Sequence, residues 1–307
     1  MSPRDNERSP LELAVAESAV VLSPQWGTLR VSGADRATWL NGVVTCGVTA
    51  VSRERGAWGF LLTKQGKVDA ELHVASSGDE LWVATPEGAA EAVATTLDRY
   101  LVMEDAELAN ASSEVAWLAL HGPRAFELGR SWEGALAAVR LDWTPAGGAL
   151  MAVSRAALPA CLDALRARGA YVATESEWEP ARIRLGLPRF GVDYDGSDNP
   201  HEAGLERRAI DWGKGCYLGQ EVVCMQDMRG KVKRRLVRLV WADHDAPQVG
   251  AALHVESADG AAEGAPVGAV KSVSGAFAIA SVRAPSYDAG TVLLADGARV
   301  TVLPLSE

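Results

Sequence analysis

The amino-acid sequence predicts an α+β protein that ends in a small β-barrel or sandwich. Up to about residue 230, segments with the alternation of strands are interspersed with segments of helical period. From Arg234 onward the chain consists mostly of short strand-like segments separated by glycine turns. A length of 307 residues is too great for one compact core. It fits two or three domains of about 100–200 residues each.

The first part of the chain alternates between strands and helices. Residues 18–32 alternate apolar and polar side chains, as strands do, and Asp35 is a candidate N-cap for a helix that follows. Residues 58–85 contain three strand-like segments separated by polar glycine turns, which predicts a β-meander. Residues 87–101 carry apolar side chains four residues apart and predict an amphipathic helix.

A second part begins near residue 114 with the strand-like segment EVAWLALHG. Residues 155–170 predict a helix that ends at Gly169. Residues 180–230 are rich in glycine and polar side chains. We therefore divide the chain into an α+β domain at 1–113, a second α+β domain at 114–230 and the terminal β-domain at 231–307.

Composition excludes several classes of protein. With 48% hydrophobic and 23% charged residues, the chain has the composition of a soluble globular protein, and no apolar run reaches the ~18 residues that span a bilayer. The polar N-terminus lacks the apolar stretch of a signal peptide, which predicts a cytoplasmic protein without a membrane partner. A net charge of −10 argues against direct, sequence-blind nucleic-acid binding.

Familiar catalytic and metal-binding motifs are missing from the sequence. The four cysteines form no CxxC pair, and they are too few and too scattered for a disulfide framework. The segment DYDGSDNPHEAG imitates a calcium loop, but it lacks the glycine and glutamate that an EF-hand needs at its sixth and twelfth positions. No metal site is predicted.

One run, DWGKGCYLGQEVVCMQ at residues 211–226, is unusually polar and tight around Cys216. Lys214 lies two residues before this cysteine, so in an extended chain both side chains point to the same side. An ammonium group nearby stabilises a thiolate, the reactive form of cysteine. We predict that Cys216 is the functional thiol and that Lys214 activates it.

At KGCYLGQE the chain resembles the YgfZ family, the folate-binding relatives of the glycine-cleavage T-protein. The segment 182–206, the hairpin LLTKQGKVDAEL and the segment LRVSGADRATWLNGVVTCGVTAV resemble further parts of that family. The resemblance implies an interleaved two-part α+β body around a central channel, followed by a C-terminal β-barrel. It also implies binding of tetrahydrofolate or a derivative, with iron–sulfur proteins as clients. Through cluster assembly or repair, such proteins support tRNA modification.

The sequence departs from the T-protein pattern at positions that matter for catalysis. Aligning GKVDAELHV with the T-protein hairpin puts Ala70 where the catalytic carboxylate lies. Arg184 stands where a glutamate grips the pterin, and a guanidinium cannot accept the N–H donors of a pterin. Met225 stands where YgfZ-type sequences commonly carry an arginine. Ala70 and Arg184 count against aminomethyl transfer, whereas Met225 removes one expected contact to an anion.

The candidate cofactor-binding residues come from the signature, from the resemblance and from a basic run. Residues 229–238 hold six basic side chains that suit the carboxylates of a folate tail, or equally a solvated strand edge. Trp143 lies in WTPAGG, which resembles the T-protein segment whose aromatic side chain flanks the pterin, and packing in the core is an equal alternative for this tryptophan. The candidates are Trp143, Arg184, Tyr217, Gly219, Gln220, Glu221 and Arg229.

Three functions are therefore compatible with the sequence. The first, which we favour, is a folate-binding accessory protein for iron–sulfur cluster assembly or repair, without an established catalytic activity. The second is a tetrahydrofolate-dependent aminomethyltransferase or demethylase. The third is a binding module that has kept the fold without folate. Neither the client proteins, the folate form, the oligomeric state nor the role of Cys224 can be deduced from the residues.

Overall fold

The computed structural model describes residues 9–242, 246–257 and 260–305, so most of the polar N-terminal segment lies outside it. Within these ranges the chain forms seven α-helices. They are α1 (Pro10–Glu17), α2 (Arg36–Asn41), α3 (Ala90–Asp98), α4 (Ala125–Arg130), α5 (Leu158–Ala167), α6 (Glu175–Leu185) and α7 (Gln220–Arg229). Two short 3₁₀ turns lie at Val48–Ala50 and Arg155–Ala157. None of the described helices is long and apolar enough to cross a membrane.

Sixteen strands lie in the same ranges. They are β1 (Val20–Leu22), β2 (Gly27–Ser32), β3 (Ala57–Leu62), β4 (Val68–Ser76), β5 (Leu81–Thr85), β6 (Glu107–Asn110), β7 (Val115–His121), β8 (Ala135–Arg140), β9 (Gly148–Ser154), β10 (Tyr171–Val172), β11 (Arg234–Val240), β12 (Ala252–Glu256), β13 (Ala262–Ser274), β14 (Phe277–Arg283), β15 (Val292–Ala295) and β16 (Ala298–Leu303).

These strands build two open sheets and one barrel. The first sheet has the order β3-β4-β5-β2-β6, and the second has the order β10-β1-β7-β9-β8. The last six strands close into a barrel in the order β11-β14-β13-β12-β15-β16. The predicted α+β class is confirmed, and the terminal domain is a barrel rather than a sandwich. Closing the sheet removes the unpaired edges that an open sheet would expose.

The first sheet owes its core to the alternation along its strands. On β4 the side chains of Ala70, Leu72 and Val74 lie in one hydrophobic cluster with Leu97 of α3 and Leu40 of α2. Because neighbouring residues on a strand point to opposite faces, the residues between them face away from this cluster. Ala70 is therefore a core residue, and Glu71 and His73 lie on the other face.

The second sheet has a separate hydrophobic core. Strand β7 contributes Leu118 and Leu120, and helix α5 contributes Cys161 and Leu165. Cys161 is fully buried there, as its place near an apolar helical stripe predicts. Burial raises the pKa of the Cys161 thiol to about 11, so this cysteine is an inert core side chain.

The packing of the chain defines two units, each assembled from separate segments. The first comprises residues 1–61, 70–178 and 209–218 and holds the two sheets; the second comprises 62–69, 179–208 and 219–307 and holds the barrel. Residues 62–69, the tip of the β3–β4 hairpin, belong to the second unit, where the Val68 amide donates to the Asp198 carbonyl at 2.9 Å. Our division into 1–113, 114–230 and 231–307 stays a prediction.

Candidate functional site

The signature run passes from one unit to the other in its middle. Lys214 to Leu218 belong to the first unit, and Gly219 to Glu221 belong to the second. Gly219 is the N-cap of α7 and has a φ of 79°. A Cβ at this position would lie 2.7 Å from the Thr63 carbonyl oxygen. The positive φ and the close backbone both require glycine here.

Lys214 is anchored in the first unit by backbone oxygens. Its Nζ donates to the carbonyls of Asn41, Val44 and Cys46 at 2.5, 2.6 and 2.9 Å. A lysine ammonium has three N–H donors, so each donor has a carbonyl acceptor. Burial lowers the pKa of Lys214, which the charge of Asp211 partly opposes. The anchored ammonium also lies 5.4 Å from the centroid of the Tyr217 ring.

Cys216 lies on an exposed bend next to this anchor. All four cysteines lie in the described residues, and only Cys216 is exposed. The residue after it, Tyr217, is buried, and Leu218 packs against the core of the first sheet. The thiol is therefore presented to solvent by a short segment that is held on both sides. Within the described ranges, no hydrogen bond joins Lys214 to Cys216, so direct activation stays a prediction.

Cys46 shows the opposite environment. Its thiol is buried in the core beneath the anchored lysine, and burial raises the pKa of Cys46 to about 12. This cysteine contributes its backbone carbonyl to Lys214 rather than a reactive sulfur. Cys224 is half-buried on α7 in the second unit, and its role stays open.

A cluster of six rings fills part of the first unit and is called the aromatic cluster here. Its members are Trp26, Trp58, His73, His121, Trp143 and Trp178. His73 is stacked with Trp26 at 4.4 Å between ring centroids and with Trp58 at 6.2 Å. The plane of the His73 ring is 14° from that of Trp26 and 16° from that of Trp58. Flat, nearly parallel rings offer surfaces of the kind on which a heterocycle stacks.

Trp143 joins the two histidines of this cluster. Its ring lies 5.5 Å from that of His73 and 5.1 Å from that of His121, which is in turn stacked on Trp178 at 4.5 Å. The sequence predicts an aromatic surface at Trp143, and the structure surrounds that residue with other rings. Its role in binding a cofactor stays a prediction.

Glu71 brings a carboxylate to the aromatic cluster. Its Oε1 accepts a hydrogen bond from Trp58 Nε1 at 2.7 Å and lies 3.5 Å from His73 Nε2. The side chain is 17% exposed, so solvent still reaches it. Burial, together with the neighbouring His121, lowers the pKa of His73 to about 3. The imidazole of His73 is therefore neutral at physiological pH.

The other predicted cofactor residues lie apart from the aromatic cluster along the chain. Tyr217 belongs to the first unit, whereas Arg184 and the residues of α7 belong to the second. Gln220 and Glu221 form the first turn of α7, and Arg229 lies in its last turn, about 12 Å away at the helical rise of about 1.5 Å per residue. Arg184 lies over the ring of Phe277 at 5.7 Å. Within the second unit, α7 therefore places Gln220 and Glu221 at one end and Arg229 at the other. The roles of all these residues in binding a cofactor stay predictions.

The basic run at 229–238 is partly neutralised by its own unit. Arg234 pairs with Asp198 at 2.7 Å, and Arg235 pairs with Glu206 at 2.8 Å. Arg238 donates to the Arg184 carbonyl. Arg229, Lys231 and Lys233 are exposed. These three are the members of the run best placed to meet an anion in solution.

Sequence reasoning missed most of the aromatic cluster and its carboxylate. Trp26, Trp58, His73, His121 and Trp178 lie on distant segments, and nothing local marks them as neighbours. One signal was available, since the alternation in VDAELHV already puts Glu71 and His73 on one face and Ala70 and Leu72 on the other. Across the residues that the structure describes, no group of three or more His, Cys, Asp or Glu side chains is arranged to hold a metal ion.

Comparison with known families gives one match over the first half of the chain. The family described as GCVT N-terminal domain matches residues 14–172. Among curated proteins, the tRNA-modifying protein YgfZ of Vibrio vulnificus (strain YJ016) is 28% identical over 245 residues, which cover 76% of this chain and 74% of that protein. The tRNA-modifying protein YgfZ of Shigella boydii serotype 4 (strain Sb227) is 26% identical over 267 residues, covering 83% and 79%.

A solved structure confirms the predicted T-protein-like fold. The glycine cleavage system aminomethyltransferase T from Bartonella henselae superposes with a TM-score of 0.77 at 16% sequence identity. The match covers 97% of this chain and 89% of that one. At so low an identity the likeness establishes the architecture and leaves the chemistry to the residues themselves.

Proposed function

Because the chain belongs to the family of the GCVT N-terminal domain, we propose that it is a folate-binding accessory protein of the YgfZ type. In this proposal it supports the assembly or repair of iron–sulfur clusters in client proteins, and through cluster-dependent enzymes it supports tRNA modification. The curated relatives are named as tRNA-modifying proteins, which supports this direction. The observation that carries folate binding is the aromatic cluster with Glu71 at its edge.

The residues of the aromatic cluster fit the chemistry of tetrahydrofolate. The pterin is a flat heterocycle that needs an apolar surface and acceptors for its N–H donors. The half-buried rings of Trp26 and Trp58 offer the apolar surface, and the carboxyl group of Glu71 offers an acceptor. In our proposal Glu71 takes the role that Arg184 cannot perform. The bound folate would supply one-carbon or redox chemistry, while these side chains bind and orient it.

Cys216 is the thiol on which the proposed function depends. An exposed thiolate can ligate iron transiently, accept sulfur or resolve an oxidised cluster. These steps suit a protein that meets iron–sulfur clients in solution. The net charge of −10 and the internal pairing of Arg234 and Arg235 argue against direct nucleic-acid binding. The proposal places the protein in the cytoplasm.

The alternative, an aminomethyltransferase or demethylase, is not favoured. Ala70 lies in the hydrophobic core, so the position aligned with the T-protein carboxylate has neither the group nor the orientation for proton transfer. Glu71 is the carboxylate on the ring-lined face, and its Oε1 already accepts from Trp58. We expect no turnover of an aminomethylated carrier protein with tetrahydrofolate. Turnover at the rate of a T-protein would establish the alternative.

Calorimetry with tetrahydrofolate tests the folate proposal. We expect binding by the wild-type chain and a loss of about 10–100-fold in affinity for Glu71→Gln, because a charge-assisted hydrogen bond contributes about 1.5–3 kcal/mol. Glu54→Gln is the matched control, since Glu54 is an exposed glutamate that pairs with Arg130 at the surface. Absence of heat at millimolar tetrahydrofolate would contradict folate binding. Equal affinities for wild type and Glu71→Gln would remove Glu71 from the site.

A further inference from the structure

Lys214 is held by a convergent set of backbone oxygens rather than by the thiol that follows it. Asn41 is the last residue of α2, and the Asn41 carbonyl is one of those that a helix leaves without an internal partner. Val44 follows the turn after α2 and forms a β-bridge with Leu61, and Cys46 lies in the bend after it. The lysine therefore fills a polar cradle at the end of a helix, where a positive charge is also favoured by the helix dipole.

Further bonds hold the segment that leads into Lys214. Thr45 Oγ1 donates to the Ala209 carbonyl at 2.6 Å, and the Asp211 amide donates to the Thr45 carbonyl at 3.0 Å. Gly59 makes room for this contact, because a Cβ there would lie 2.8 Å from the Ala209 carbonyl oxygen. The segment 209–214 thus runs along residues 41–46, with hydrogen bonds at Ala209, Asp211 and Lys214.

Beyond Lys214 the segment is fixed again within three residues. Tyr217 is buried, and Leu218 packs on the core of the first sheet. Gly215 and Cys216 are exposed and lie between these two anchors. Nothing lies within 4 Å of a Cβ built at Gly215, so the bend is open on the side where a side chain would project. The conformation of the bend therefore depends on its two ends.

We propose that Lys214 is a positioning residue, which fixes the bend bearing Cys216 by binding the carbonyls of Asn41, Val44 and Cys46. It acts through geometry and not by lending its charge to the thiol. A reactive group contributes to a reaction only when it is correctly positioned, and a displacement of about an ångström can remove that contribution. The functional meaning of this inference rests on the proposed role of Cys216. The inference itself concerns the bend and can be tested without folate or a client.

The test compares the full-length wild type with Lys214→Met and Lys214→Arg by amide hydrogen exchange and by thiol alkylation. Within residues 213–218 the amides of Gly213 and Lys214 donate hydrogen bonds to Asp211. We expect exchange of these two amides to rise by about tenfold in Lys214→Met, while exchange in β7 stays the same, because the loss of the anchor opens the segment only locally. Lys214→Arg should not restore slow exchange, since a planar guanidinium cannot direct three N–H groups from one nitrogen. Lys231→Met, which removes an exposed lysine, is the control and should leave 213–218 unchanged.

Alkylation of Cys216 by iodoacetamide across a range of pH separates positioning from activation. We expect wild type and Lys214→Met to share the same midpoint of rate against pH. A higher midpoint in Lys214→Met that Lys214→Arg restores would overturn the inference and establish activation by charge. Unchanged exchange over 213–218 in Lys214→Met would also overturn it. If Lys214→Met does not fold, the charge-conserving Lys214→Arg is compared with the wild type by the same exchange measurement. Faster exchange in Lys214→Arg supports the inference, and unchanged exchange overturns it. Neither hydrogen exchange nor alkylation depends on folate binding. A failure of the inference about Lys214 can therefore be distinguished from a failure of the proposed function.

Discussion

The imidazole of His73 is stacked on the indole of Trp26, with ring centroids 4.4 Å apart and planes 14° from parallel. The same imidazole is nearly parallel to Trp58 and meets Trp143 edge to face. Burial among these rings lowers the pKa of His73 to about 3. The structure therefore keeps this histidine neutral and uses it as a flat aromatic element.

The depressed pKa of His73 predicts a pH dependence of stability. An unfolded histidine titrates near 6.5, so between about pH 6.5 and 3 the unfolded chain binds a proton that folded His73 does not. Its contribution to stability is complete above about pH 6.5 and is lost as the pH falls toward 3. The slope is at most about 1.4 kcal/mol per pH unit. His73→Phe should flatten this part of the profile in urea unfolding at pH 4 to 7.

The control for this experiment is His254→Phe, at a partly exposed histidine of barrel strand β12. It should leave the slope between pH 6.5 and 4 close to that of the wild type. Identical slopes for wild type and His73→Phe would show that protonation of His73 does not couple to unfolding.

Cys216→Ser should abolish function and spare the fold. The side chain is exposed, so replacing sulfur by oxygen leaves no cavity, whereas it removes a soft and ionisable nucleophile. We expect thermal stability within about 0.5 kcal/mol of the wild type, as for most surface changes. We expect a sharp fall in rescue of a bacterial strain that lacks its own YgfZ-type protein. The measurement is the activity of a cluster-dependent enzyme under oxidative stress.

The control is Cys161→Ala, which removes a thiol from the core of the second sheet. It should lower stability by about 1 kcal/mol, as is typical of point changes, and leave rescue intact. Full rescue by Cys216→Ser would return this residue to a structural role.

The second unit contains a buried ion pair whose disruption should lower stability. Arg182 Nη1 donates to Asp193 Oδ2 at 2.7 Å, and the two side chains are 3% and 0% exposed. Ser272 Oγ donates to the other carboxylate oxygen, and Glu179 pairs with the same arginine. Arg182→Met leaves a buried carboxylate without its cation and should cost about 3–5 kcal/mol in chemical denaturation.

Arg130 supplies the comparison for this change. It pairs with Glu54 at 3.0 Å, and both side chains are more than half exposed. Solvent screens such a pair, so Arg130→Met should change stability by about 1 kcal/mol or less. Similar costs for the two variants would mean that the Arg182 network is not the stabilising feature that its burial implies.

The sequence predicted those features that depend on local pattern. Short strands with glycine turns after Arg234 indicated a barrel or sandwich, and Val93 and Leu97 lie on the buried face of α3 as their spacing requires. The N-cap predicted at Asp35 is correct in position, although its side chain makes no capping hydrogen bond. Such features follow from the periods of helices and strands, which a single sequence displays.

Features that depend on distant pairing escaped prediction. The spacing of Lys214 and Cys216 suggested activation of the thiol, which stays a prediction. The sequence did not show that the lysine donates to carbonyls about 170 residues earlier in the chain. Nothing in the local pattern identifies a backbone oxygen as a partner. Aligning Ala70 with the T-protein carboxylate likewise did not show which face of β4 carries an acid. The side chain of Ala70 lies in the core, and the carboxylate on the ring-lined face belongs to its neighbour Glu71.

The hairpin tip at residues 62–69 has a consequence for how this protein is inherited. Lys67 pairs there with Glu202 at 2.9 Å within the second unit, although the rest of that unit is encoded far downstream. Domain shuffling joins contiguous stretches of coding sequence, and no single stretch of this gene encodes one complete unit without part of the other. A recombination breakpoint anywhere between codons 70 and 178 would part the tip from the barrel that it belongs to. The two units are therefore expected to descend together, as one indivisible cassette.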